Sequence, residues 1–165
     1  MMRHDNGFSL IELLIVVAII LIIAAIGIPS LVRARIAANE SSAAASVRDI
    51  VGAEIAYAAA YPAVGYTDLP SMGGPSAGCV PAQATACILD SSLTSGTKSG
   101  YQFTAAGANP NPANTEYIVD AWPVTLNGTG LKAYCSTEDN IIRWTTPSAG
   151  SVVRATCLTY GSIGN

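Results

Sequence analysis

The sequence predicts an α+β protein. One long N-terminal α-helix, its first half apolar enough to cross a membrane, packs by its second half on a C-terminal antiparallel β-sheet of about four strands. Three observations predict this. No side chain from Leu13 to Ile28 is polar. Apolar residues then recur at helical spacing as far as Ala58, between charged positions. From Tyr101 onward the chain changes to short apolar and aromatic runs separated by Pro, Asn, Gly and acidic turns.

The apolar run comes first. Phe8 to Val32 is 25 residues, which as a helix is roughly 37 Å against a hydrocarbon core of ~30 Å. One charge interrupts it, Glu12. An ionisable group inside a membrane helix is a functional feature that must find a partner. Residues 1–7 (Met1-Met2-Arg3-His4-Asp5-Asn6-Gly7) are too short to fold and read as a leader that is removed. Two other readings of this run are a secretory signal peptide, cut near Ala25-Ile26-Gly27, and a plain single-pass anchor. Glu12 at the start of the apolar region and Pro29 just past that cut speak against the first. An anchor needs neither Gly7-Phe8 nor Glu12.

A short polar leader ending in Gly7, then Phe8-Ser9-Leu10-Ile11-Glu12-Leu13 and a long apolar helix, resembles the N-terminus of type IV pilins and type II secretion pseudopilins. The resemblance implies cleavage between Gly7 and Phe8 by a membrane prepilin peptidase, N-methylation at Phe8, and packing of the apolar helices into a filament core. It places Glu12 five residues into the mature chain, where its missing cation is the α-ammonium of Phe8 on an adjacent subunit. The implied partners are identical or homologous pilin subunits, the prepilin peptidase and methylase, the inner-membrane assembly machinery, and membrane lipid before assembly. The implied location is a single pass of the inner membrane with a cytoplasmic N-terminus and a periplasmic C-terminal domain, then an extracellular filament.

Gly27 and Pro29 should interrupt the helix, because Pro29 cannot donate to the carbonyl of Ala25. The resemblance implies that such a stretch can melt in filaments, which makes Pro29 an assembly residue beside Glu12 and Phe8. Residues 8–32 are the membrane and filament-core helix. Residues 33–61 form its amphipathic half, with Val47, Ile50, Val51, Ile55 and Ala58 as the apolar stripe and Pro62 and Gly65 ending it. Residues 62–100 are a Pro-, Gly-, Ser- and Ala-rich loop with one or two helical turns near 87–93. Residues 101–165 are the sheet: strands at 101–105, 115–122, 131–136 and 140–145, with a short fifth at 151–158.

Composition bounds the function. The net charge is −3, and losing the leader removes Arg3 and Asp5 together, leaving it unchanged. No nucleic-acid partner is expected, since that needs clustered Lys and Arg. The single histidine, His4, leaves with the leader, so the mature chain has no imidazole for a catalytic base. No catalytic residue, cofactor or metal is predicted. Ser95-Gly96-Thr97-Lys98-Ser99 lacks the spacing of a phosphate loop and reads as a turn into the first strand. Glu138, Asp139 and Asn140 offer oxygens that a calcium ion would accept, but an exposed hairpin turn accounts for them with less. Tyr57, Tyr61, Tyr66 and Tyr101 read as packing. Asn39-Glu40-Ser41 and Asn127-Gly128-Thr129 fit a glycosylation sequon, a short pattern that recurs by chance.

Four cysteines, Cys79, Cys87, Cys135 and Cys157, all follow the span and read as two disulfides in an oxidising compartment. Sequence proximity pairs Cys79 with Cys87, and a place on neighbouring strands or a returning tail pairs Cys135 with Cys157. The function these features predict is a structural, self-assembling subunit of a type IV pilus-like filament serving adhesion, motility or surface interaction. The alternatives are a pseudopilin of a type II secretion system, a minor tip pilin binding DNA or surfaces, and a secreted domain that does not polymerise.

Overall fold

The computed structural model describes residues 9–75, 77–146 and 150–163. The chain divides into two compact units, one up to Arg35 and one from Ile36 onward. Helix α1 (Leu10–Ala60) is 51 residues long and runs without a break through Gly27 and Pro29, where the sequence predicts an interruption. Pro29 removes one donor, and the turns on either side keep their own bonds.

In the second unit, α1 buries Ala43, Val47, Ile50, Glu54 and Tyr57, spaced four, three, four and three residues apart. This phase corrects the expected stripe. Ile55 is 46% exposed and Ala58 only half-buried, because both lie off the line that Tyr57 and Glu54 continue. The helix stops where Pro62 ends its ladder. The N–H of Gly65 bonds back to the carbonyl of Tyr61, with Gly65 at φ +76°.

The loop that follows holds a 3₁₀ turn at Pro70–Met72 and a short helix α2 (Ser91–Thr94). Asp90 caps α2 by accepting the N–H of Leu93 at 3.0 Å. The Ser92 hydroxyl, and then the Leu93 N–H, hold the Asp90 carboxyl below the usual range.

Six strands follow among the described residues, not four: β1 (Thr97–Lys98), β2 (Tyr101–Pro110), β3 (Asn114–Pro123), β4 (Ala133–Thr137), β5 (Arg143–Thr145) and β6 (Gly161–Ser162). They pair antiparallel in sequence order. The two missed strands are two residues each, too short to show an alternating pattern. The expected strand at 151–158 is instead a helix, α3 (Arg154–Cys157), leading into β6. The expected strands at 131–136 and 140–145 shift to Ala133–Thr137 and Arg143–Thr145, since 138–142 is spent on the turn.

The β2–β3 register sets Phe103 opposite Ala121 and Ala105 opposite Val119. These side chains, with Tyr101, Tyr117 and Tyr134, face Val47, Ile50 and Tyr57 of α1 in one core that also takes Leu69, Met72 and Leu93 from the loop. Each large side chain buried there stabilises the fold by roughly 1.5–3 kcal/mol. The other face of the sheet is covered too. Cys135 on β4 is fully buried and bonded to Cys157 of α3.

Candidate functional site

The first half of α1 begins where the Ser9 carbonyl accepts the N–H groups of Glu12 (3.1 Å) and Leu13 (3.2 Å). Its large side chains point outward, Leu13 at 62%, Ile20 at 58% and Ile23 at 65% exposed. It is long and apolar enough to cross a membrane. Glu12 is exposed among them, and no Lys or Arg lies between it and Arg33. Among the described residues no salt bridge reaches it. Such a surface suits lipid or other helices, and there a carboxylate is costly unless it is protonated or paired with a cation. Pro29 lies inside this stretch. Gly7 and Phe8, the expected processing pair, lie outside the described residues.

In the second unit the polar positions of α1 have partners that helical periodicity did not reveal. Asn39 donates its side-chain N–H to the Thr129 carbonyl at 2.9 Å. Glu40 accepts the N–H of Leu131 at 2.9 Å and pairs with Lys132 at 3.5 Å. Together they pin the β3–β4 connection, which includes the sequon at Asn127, to the helix. Lys132 also lies over the Trp144 ring, 5.1 Å from its centroid. The tyrosines pack and hydrogen-bond: Tyr57 donates to the Gln83 carbonyl at 2.6 Å, Tyr101 to the Lys132 carbonyl at 2.8 Å, and Tyr66 packs tilted against Tyr117 with ring centroids 4.6 Å apart. Burial, and then the neighbouring Glu40, push the Tyr134 hydroxyl up to about 12.

Among the described residues two carboxylates are buried, and neither was singled out in the sequence. Glu54 is fully buried on α1; its Oε2 accepts the Thr67 N–H at 3.0 Å, and its Oε1 has no partner among the described residues. Burial pushes its carboxyl up to about 7; the Thr67 N–H opposes that shift and nearby Asp68 adds to it. Asp120 on β3 is 2% exposed on the opposite face, beside Cys135 in the register. It accepts the Thr104 hydroxyl and the Val152 N–H, and burial still raises its carboxyl above the usual range. For Glu54 the phase of the buried stripe was the one available signal; for Asp120 there was none.

The acidic turn after β4 is committed to arginines. Asp139 accepts the Thr137 hydroxyl and the Ile141 N–H, both at 3.0 Å, and pairs with Arg143, which holds its carboxyl below the usual range. Glu138 pairs with Arg154, which also reaches Glu116 at 3.6 Å. Among the described residues no group of three His, Cys, Asp or Glu side chains is placed to hold a metal ion. Disulfides join Cys79 to Cys87 and Cys135 to Cys157. The first closes a surface loop and the second is buried.

Residues 2–28 match the family described as "Prokaryotic N-terminal methylation motif". The chain is 54% identical over 50 residues to the type IV wide pilus major component PilA4 of Thermus thermophilus. The match covers 30% of this chain and 38% of that relative, so the two compare only in part. No solved structure matches the chain. The N-terminal segment of this chain thus carries a prokaryotic N-terminal methylation motif, and the chain is similar over part of its length to a type IV pilus component.

Proposed function

We propose that this chain is a structural subunit of a type IV pilus-like filament. The observation that carries the reading is the outward-facing apolar half of α1, with one carboxylate, Glu12, inside a methylation motif that spans residues 2–28. The partial relative's name, a type IV wide pilus major component, supports a pilus structural subunit. The prepilin is cut between Gly7 and Phe8 and methylated at Phe8. Residues 8–32 then anchor it in the inner membrane with the sheet domain in the periplasm, an orientation supported by the two disulfides. On assembly the apolar helices of identical or homologous subunits form the core, and Glu12 of one subunit meets the α-ammonium of Phe8 on its neighbour. The head forms the outer surface and serves adhesion or motility. Its work is assembly, not catalysis.

The test is to shear filaments from the native cell surface, image them, and determine the N-terminus and intact mass of their main subunit. A mature chain beginning with a methylated Phe8 is expected. A start near Ile28, or no filament containing this chain, overturns the proposal.

A further inference from the structure

We propose that Glu54 is a proton-operated latch on the start of the helix-to-sheet loop. One of its oxygens holds the backbone N–H of Thr67; the other is sealed from water without a donor. Among the described residues the groups that act on it supply no cation. Asp68 faces it from the loop, and Tyr117 faces it from β3 with its hydroxyl already donated to Asn140 at 2.8 Å. Among the described residues no salt bridge includes Glu54. The segment it holds is buried by its side chains, Leu69 at 3% and Met72 at 0% exposed. Backbone bonds from Val64 and Tyr66 to Asn114 fix its start, and the carbonyls of Ser71 and Met72, which accept the N–H groups of Ala86, Ile88 and Leu89, fix its end. That leaves 67–70 between them to Glu54 and to the bond from the Ser71 N–H to Asp68.

In the protonated state Glu54 is neutral, accepts from Thr67 through its carbonyl oxygen, and leaves the segment closed. On losing the proton it becomes a buried anion facing a second anion, with one oxygen bare. Relief requires water at Oε1, and the cover that Glu54 itself holds down, through the Thr67 N–H, is the loop from Tyr66 to Leu69. Raising the pH through neutrality therefore loosens this segment locally, while the sheet and both disulfides stay intact. The latch governs how firmly the loop lies on the helix. It is independent of the filament reading, since it resides wholly in the second unit.

The test is hydrogen–deuterium exchange of the full chain in detergent micelles between pH 5.5 and 8.5, read by mass spectrometry on peptides covering 64–72. Rates are corrected for the intrinsic pH dependence of exchange. Opening of this segment is expected to rise about tenfold or more, with a midpoint near 7, while β2 and β3 peptides stay flat. E54Q should abolish the rise. D68N, altering an exposed side chain, should keep it and move the midpoint to lower pH. A flat wild-type profile, or the same rise in E54Q, overturns the proposal. Should E54Q not fold, D68N decides: an unmoved midpoint places the titrating group elsewhere and overturns it.

Discussion

Asp120 Oδ2 accepts the backbone N–H of Val152 at 2.9 Å, joining β3 to a segment 32 residues further along. With the adjacent disulfide from Cys135 to Cys157, this bond holds the returning chain against the outer face of the sheet.

Asp120→Ala leaves the Val152 N–H and the Thr104 hydroxyl without their acceptor. A loss of about 1–3 kcal/mol in chemical unfolding is expected, with faster proteolysis of residues 150–163. The pH dependence has a definite sign. Burial raises this carboxyl in the fold, so the unfolded chain ionises first as pH rises. Its contribution is full below the unfolded value and lost as pH rises through the folded one. The variant should have a flatter stability profile on the alkaline side of the ordinary carboxylate range.

The two disulfides should separate under reduction. Cys135 and Cys157 are both fully buried, whereas Cys79 and Cys87 lie at the surface of the loop. Graded phosphine followed by alkylation and peptide mapping should label Cys79 and Cys87 first, and Cys135 and Cys157 only with unfolding. For sequence separations of 8 and 22 residues, chain entropy gives about 2.5 and about 3.4 kcal/mol. The Cys135→Ser, Cys157→Ser double variant should therefore be the less stable of the two pairs. Simultaneous labelling of all four would contradict the burial of the second bridge.

Gly65→Ala should destabilise strongly. Gly65 sits at φ +76°, and a Cβ there would run into the backbone of Asn114, which pairs with Val64 and Tyr66 on either side. A drop of several degrees or more in thermal midpoint is expected, with Gly52→Ala, which has open space around it, as the tolerated control.

Glu12→Leu should insert in the membrane at least as well as the native chain, because burying an acidic residue mid-helix costs ~3 kcal/mol on insertion scales and less near an end. Processing after Gly7 should continue while filament yield falls sharply. Membrane-fraction levels, N-terminal sequencing and sheared-filament yield measure the three separately. Normal filament yield would leave apolar packing as the sole driver of assembly.

What could be read in advance followed from periodicity. The apolar run, the amphipathic helix and the switch to strands each repeat a pattern over enough residues to be unambiguous. Two-residue strands carry no such pattern. Residues 151–158 misled through composition: Val152, Val153 and Leu158 suit a strand, yet the bond to Cys135 and the Asp120 clasp place a helical turn there. Glu54 shows the opposite case. It lies in phase with Val47, Ile50 and Tyr57, and tertiary packing buries whatever occupies that line.

The strictly sequential strand order has a kinetic consequence. Every strand meets a partner next to it in the chain, so the sheet's contacts are of short range and their closure entropy is small. The longest-range hydrogen-bonded closures among the described residues are those from Asn39 and Glu40 to the β3–β4 connection, 90 and 91 residues away. The head should thus zip from the β2–β3 hairpin outward, with docking of the helix as its late and slow event.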